Sequence, residues 1–398
     1  MHLYALPLIF ALAGLAFYAV LAGADFGAGF WELTAGRGEG ADEIRDHAHA
    51  GMAPVWEANH VWLIFVLTVV WTAYPAAFGS IASTLSIPLF VAGIGIVLRG
   101  GAYAMRAGAA SLREQRAVDM LFSVSSILTP FALGTAIGGI ASQRVPVGNA
   151  TGSLVRSWLN PTSVTIGVLA VASAAYTAAV FLSADAARRG ERELAERFRL
   201  RALGAGIAAG AVAVAGIAVL HFDAERLFHR LVHGPGLVAL VASLAAGVAT
   251  LALVWRRRYE PARYTSALAV ASTIAGWALA QQPVFLRGLS IEDAAAPHDT
   301  QVAVVVAVLG GAVILFPSLA LLFRLTLGGR LGDGDGEAPH VSPTRGRTRP
   351  TTRLALACLI AGIGFLTVAD SGWSHAVGVT CLLAFVAFGY RSALPADA

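Results

Sequence analysis

Apolar residues run in long blocks along this chain, each close to the roughly 20 helical residues needed to cross a hydrocarbon core about 30 Å thick. Nine blocks stand out, over residues 4–33, 54–76, 78–98, 119–142, 161–184, 202–221, 236–255, 264–283 and 301–325. Each predicts a membrane-spanning helix. The first begins Met1-His2-Leu3-Tyr4, without the basic stretch that opens a secretory signal, and its apolar run is too long for one; it is expected to persist as a helix. After the ninth block the pattern changes. Residues 328–353 are rich in Gly, Asp, Pro and Arg and predict an unstructured cytoplasmic linker. A final apolar region, 354–390, is interrupted by Asp370-Ser371-Gly372-Trp373-Ser374-His375 and predicts two short helices. The expected organisation is a nine-helix transmembrane domain over 1–327, the linker over 328–353 and an extra hydrophobic region over 354–398.

Composition agrees with this pattern. The chain is 57% hydrophobic and only 13% charged, whereas soluble domains carry about 25% charge. A soluble protein is excluded. All 28 basic residues are Arg, and the formal charge is +4. In a soluble protein that balance would suggest an anionic partner. Here the arginines fall between apolar blocks and lack aromatic interleaving, so nucleic-acid binding is rejected. Cytoplasmic loops retain Arg and Lys. With the N-terminus outside, 22 arginines fall in inner loops and five in outer loops, which predicts an extracytoplasmic N-terminus. Cys358 and Cys381 lie in apolar runs and read as small core residues. No Walker loop, dinucleotide fingerprint, zinc pattern or Ser-His-Asp set occurs in a plausible context.

Charges inside a membrane span cost about 2.5–3.5 kcal/mol each on insertion scales and therefore mark function by default. Asp25 stands in Gly23-Ala24-Asp25-Phe26-Gly27-Ala28-Gly29, where Gly23 and Gly27 form a small-xxx-small pair that admits another helix closely. It is either buried between helices or caps a helix that breaks at these glycines. Glu57 stands in Pro54-Val55-Trp56-Glu57-Ala58-Asn59-His60-Val61-Trp62. A first-turn acid favoured by the helix dipole accounts for Glu57 alone. The cluster of Glu57, Asn59 and His60 beside Trp56 and Trp62 is more polar chemistry than a cap needs. Both acids flank the inner loop 34–52, so they lie at similar depth, where a carboxylate pair can pass protons inward. Arg99, at the same boundary, either pairs with one of them or snorkels to the headgroups.

Glu57 and His60 have the Glu-x-x-His spacing of half a di-iron site, but no other span supplies the second motif. Of ten histidines only His60 lies at depth, so haem ligation within this chain is poorly provided for. A weak echo links Tyr18 to Asp25 and Tyr176 to Asp185, with spacings of seven and nine residues, and leaves a four-helix repeat open.

Three of these blocks resemble subunit II of the cytochrome bd-type quinol oxidases. Ala24-Asp25-Phe26-Gly27-Ala28-Gly29 resembles the family's Asp-x-Gly-x-Gly end of helix one. Trp56-Glu57-Ala58-Asn59-His60-Val61-Trp62-Leu63-Ile64 resembles its start of helix two, the most specific of the three. Leu98-Arg99-Gly100 with Tyr103 and Arg106 resembles its end of helix three. The resemblance implies an all-α polytopic membrane protein built as two four-helix bundles plus a peripheral helix. It implies a homologous partner, subunit I, that holds the b- and d-type haems and the quinol site. The heterodimer would oxidise quinol, reduce dioxygen to water and take protons from the cytoplasm, with no catalytic, cofactor-binding or metal-binding residue in this chain beyond a structural quinone held by some members. The expected proton path is Asp25, Glu57, Asn59 and His60, supported by Trp56, Trp62 and Arg99. Many relatives carry Asp in place of Glu57 and Gln in place of His60, which alters the local hydrogen bonding. Residues 328–398 exceed the usual nine helices and are available to dock a small single-helix accessory subunit or to cover the bundle. The rival expectation is a stand-alone proton-coupled transporter with Asp25 and Glu57 as its coupling site. Transporters break helices at the membrane midplane, whereas the acidic segments here gather at one boundary.

Overall fold

A computed structural model describes residues 2–36, 38, 40–50, 53–106, 112–327, 350–367 and 372–393, although some side chains on these helices, Trp56 and Glu57 among them, lie outside the described set. The fold is all-α and polytopic. In chain order the helices are α1 (Leu6–Leu33), α2 (Ala41–Ala50), α3 (Ala53–Ala73), α4 (Pro75–Thr84), α5 (Ser86–Arg106), α6 (Leu112–Ala141), α7 (Pro161–Arg188) and α8 (Arg192–Asp223). They continue as α9 (Glu225–Val232), α10 (Leu237–Trp255) and α11 (Tyr259–Gln281). A small antiparallel hairpin, β1 (Val284–Leu286) with β2 (Leu289–Ser290), turns at Gly288 and leads into α12 (Ile291–Ala294) and α13 (His298–Leu327). Last come α14 (Pro350–Thr367) and α15 (Gly372–Ala393).

The chain divides into two compact units, residues 1–318 and 319–398. In the second, α14 packs on α15, with Gly362 against Leu382 and the Gly378 carbonyl. Helix α14 starts at Pro350, inside the stretch expected to be linker, because proline suits a first helical position whose N–H needs no partner. The rest of that linker lies outside the described residues. Cys358 and Cys381 are half-buried on α14 and α15.

All nine apolar blocks are helical. Among the described residues, six helices are long and apolar enough to cross a membrane, and a seventh span results if the bent pair α4–α5 is one crossing. That pair corrects the expected straight span over 78–98. Pro88 has no N–H for the Thr84 carbonyl, so the helix breaks at Leu85 and the two halves meet at 82°. The loop 34–52 also departs from expectation, since it contains α2. Its apolar Ile44 and Ala48 are buried against Leu182, Ala186, Leu194 and Phe198, which fastens this otherwise polar helix onto α7 and α8.

Within the first unit α1 is central, packing against α3, α6, α7 and α11, and its residues from Ala22 to Gly29 are all buried. Gly27 explains the closeness of α7: a Cβ there would lie 2.5 Å from the Ala174 carbonyl carbon and 2.6 Å from Ala178 Cβ. At the other end of α1, Tyr74 Oη accepts from Leu8 N–H at 3.0 Å and donates to the Tyr4 carbonyl at 2.5 Å. Nearby, the buried Gln301 amide donates to the Ala73 carbonyl at 2.7 Å and ties α13 to the end of α3.

Candidate functional site

Helix α1 runs unbroken from Leu6 to Leu33, so Asp25 is an interior helical residue and not a cap. It is 0% exposed, as is Arg99 of α5. The two form an ion pair: Arg99 Nη2 donates to Asp25 Oδ1 at 2.5 Å and to the Asp25 backbone carbonyl at 2.9 Å. Arg99 therefore does not snorkel. Asn59 of α3 donates from Nδ2 to Asp25 Oδ2 at 2.9 Å, so both carboxylate oxygens hold a donor. The second arm of the guanidinium, Nη1, donates to Ser126 Oγ of α6, and Ser126 in turn donates to the Phe122 carbonyl.

Aromatic rings close the site. The guanidinium carbon lies 3.9 Å from the centre of the Phe122 ring and 5.2 Å from that of Phe26, and a cation over a ring face is stabilised by the ring quadrupole. Gly29 makes room for the network, because a Cβ there would lie 3.0 Å from Arg99 Nη1 and closer still to Ser126. Four helices thus converge on one ion pair whose charges are compensated within hydrogen-bond distance. Such an arrangement gives a carboxylate at membrane depth a donor on each oxygen and an arginine shared with a neighbouring hydroxyl.

The other expected residues are distributed differently. Glu57 and Trp56 ride on the first turns of α3, and their side chains lie outside the described residues. His60 is half-buried and follows Asn59 at about 100° around the helix. Trp62 stays apart from the polar cluster, stacking on Phe17 at 4.6 Å and packing edge-on to Phe65. Its role is to seat α3 on α1.

Three groups near the site were not foreseen. Ser126 is one of a run of buried hydroxyls, Ser123, Ser125, Ser126 and Thr129, inside an apolar helix, and that pattern was the available signal. Glu32, near the end of α1, is buried with Oε1 3.4 Å from His49 Nδ1. His47 is buried with Nε2 3.1 Å from the Leu182 carbonyl and Nδ1 3.6 Å from Glu191. The sequence pattern places both histidines in a loop, so α2 is what brings them inward. On the far side of the unit, Arg144 clamps Asp223 with two hydrogen bonds of 2.9 and 2.7 Å, and Thr162 adds two more.

A sequence profile of the family described as cytochrome bd terminal oxidase subunit II matches residues 3–326. The chain belongs to that family. The matched region ends before α14 and α15. A cytochrome bd ubiquinol oxidase subunit 2 of Bacillus subtilis (strain 168) is 27% identical over 114 residues, which is 29% of this chain and 33% of the relative. The chain thus spans about a third of the length of the curated relatives it matches. The bd oxidase from Geobacillus thermodenitrificans is similar in fold, with a TM-score of 0.66 and 25% identity over 82% of this chain and 99% of that one. These similarities lend no support to a stand-alone transporter.

A bd-type complex depends on haem, which takes axial ligands such as histidine. Among the described residues, His2, His221, His229, His233 and His298 are exposed, His47 and His49 are engaged as above, and His60 is half-buried on α3. No group of three or more His, Cys, Asp or Glu that could hold a metal occurs among them either. These residues do not fit an axial haem pair.

Proposed function

We propose that this chain is the membrane scaffold subunit of a quinol-oxidising, dioxygen-reducing complex, and that the Asp25 cluster lies on the route by which protons enter from the cytoplasm. The haems and the quinol site belong to a homologous partner subunit I. The N-terminus is extracytoplasmic, as the distribution of arginines predicts. A structural quinone and a small accessory subunit are compatible additions. One observation carries the reading: an ion pair sealed inside four apolar helices, where an apolar contact would be cheaper if packing were the only requirement.

The chemistry follows from the divided donors of Arg99. A proton arriving at Asp25 must displace a donor from one oxygen. Arg99 already shares its guanidinium between Asp25 and Ser126, so a shift toward Ser126 frees Oδ1 to accept it. Return of the guanidinium then favours release of that proton, and Asn59 holds Oδ2 throughout. Glu57, two residues before Asn59 on α3, is the next acid in the chain of transfer, with His60 beside it.

The test uses the complex purified through this chain. Asp25→Asn alone strands the Arg99 charge, so the informative variant is Asp25→Asn with Arg99→Met, which removes the protonatable group and leaves no buried charge. Quinol-driven oxygen consumption is expected to fall by a large factor, on the order of the 10²–10⁴ contributed by a positioned acid or base. The haem spectrum and the copurified partner should persist. Glu57→Gln should act in the same direction. Near-normal turnover in both variants, with haem retained, refutes the proton route and leaves a scaffold.

A further inference from the structure

The cluster around Asp25 accounts for one buried acid of α1, but the helix carries a second. Glu32 is 6% exposed. It follows Asp25 by seven residues, nearly two turns, which places both acids on one face of α1 and on the order of 10 Å apart along its axis. Its neighbour on α2 is His49, with Nδ1 3.4 Å from Oε1. An imidazole gains and loses a proton within the physiological range, so this carboxylate faces a group able to hand it one.

Helix α2 is built to hold that histidine in place. Ile44 and Ala48 anchor it in the core, and His47, two residues before His49, is fixed by the Leu182 carbonyl. His47 Nδ1 lies 3.6 Å from Glu191, whose side chain is 43% exposed, while the His49 side chain is itself 25% exposed. Solvent therefore reaches one side of the Glu32–His49 pair. On the other side stands Phe122. Its ring centre is 5.8 Å from that of His49 and 3.9 Å from the Arg99 guanidinium carbon, so one ring contacts both clusters. The carbonyl of the same residue accepts the Ser126 hydroxyl that serves Arg99.

We infer that Glu32 and His49 form the solvent-side entry of the proton route, loading protons that then pass to the Asp25 cluster across the partition made by Phe122. This rests on the proton route proposed above. His49 takes a proton from solvent, Glu32 accepts it from Nδ1, and displacement of the Phe122 ring opens the interval of roughly 10 Å to a few bridging waters. Only a proton moves, and no bond to carbon forms or breaks. Glu191, 43% exposed, marks the solvent rim of this entry. Neither Glu32 nor His49 touches the reacting oxygen; both act through Asp25.

The test is made on the complex with its haem-bearing partner in liposomes, following oxygen consumption and proton uptake together. Glu32→Gln is expected to slow both about tenfold or more, while Glu32→Asp, which keeps the acid, retains most of the rate. His49→Ala should be slow and should recover when imidazole is added to the medium, a readout that a packing role would not give. Haem content and partner recovery report assembly. If Glu32→Gln loses the partner, the His49→Ala variant with and without imidazole decides the matter alone. A normal rate in Glu32→Gln, beside a slow Asp25→Asn/Arg99→Met variant, overturns the entry assignment and spares the route. Normal rates in both overturn the route itself. Equal loss in Glu32→Gln and Glu32→Asp, without imidazole recovery of His49→Ala, makes the pair structural.

Discussion

Replacing Arg99 by Met keeps an unbranched stem against Phe122 and removes the guanidinium. Three hydrogen bonds go with it, to Asp25 Oδ1, to the Asp25 carbonyl and to Ser126. Asp25 is then a buried carboxylate supported by Asn59 alone. Breaking a buried pair by removing one partner costs about 3–5 kcal/mol, because the remaining charge is stranded. For a chain of this length, roughly 2 °C of melting temperature accompanies each kcal/mol, so a fall of about 6–10 °C is expected. Asp25→Asn strands the opposite charge and should fall in the same range. The double variant strands neither, and its loss should be well below the sum of the two, a coupling of several kcal/mol between groups in direct contact. Thermal unfolding of the detergent-purified complex, followed by tryptophan fluorescence, measures all three. Single variants that melt within about 1 °C of the parent, or a double variant that loses the full sum, would show that the pair is not held as described.

The crossing of α1 and α7 should be as sensitive as the ion pair. Gly27→Leu places a branched side chain where even a Cβ meets the Ala174 carbonyl, and recovery of assembled complex from membranes is expected to collapse. Unchanged recovery would mean that the helices are not in contact there. For topology, Ser342→Cys is expected to resist a membrane-impermeant thiol reagent in intact cells and to react after the membrane is opened, since six arginines between residues 324 and 353 favour the cytoplasmic side. Labelling in intact cells would reverse the orientation.

Much of the central helix was legible in the sequence because one number decides it: an acid in a long apolar run is too costly to be incidental. Gly23 and Gly27 around Asp25 correctly indicated burial between helices. What stayed open was the partner. Whether Arg99 pairs or snorkels depends on the direction in which α5 carries it, and that direction is set by the 82° break at Leu85. Pro88 was visible, but a proline in the middle of an apolar block does not announce how far the two halves turn. Helix α2 escaped notice for a different reason. Ten residues with Asp42, Glu43, Arg45 and Asp46 look solvated, and the apolar hold on the helix comes chiefly from Ile44 and Ala48. Without α2, His47 and His49 read as loop residues.

The echo of Tyr18 and Asp25 in Tyr176 and Asp185 places its two acids in different surroundings. Tyr18 and Tyr176 are both buried, and each is followed toward the end of its helix by an acid that meets an arginine of another helix. Asp25 meets Arg99; Asp185 meets Arg263 at 3.6 Å and Arg188 of its own helix. The spacing differs by two residues, which rotates the second acid about 200° and advances it roughly 3 Å along its helix. That shift takes Asp185 out of the interior: its side chain is 18% exposed, against 1% for Asp25. An acid partly in water exchanges protons freely and is worth little as a salt bridge. Asp25 is sealed among four helices with both oxygens engaged, so on the proposed route its proton exchange requires movement of Arg99, which it shares with Ser126.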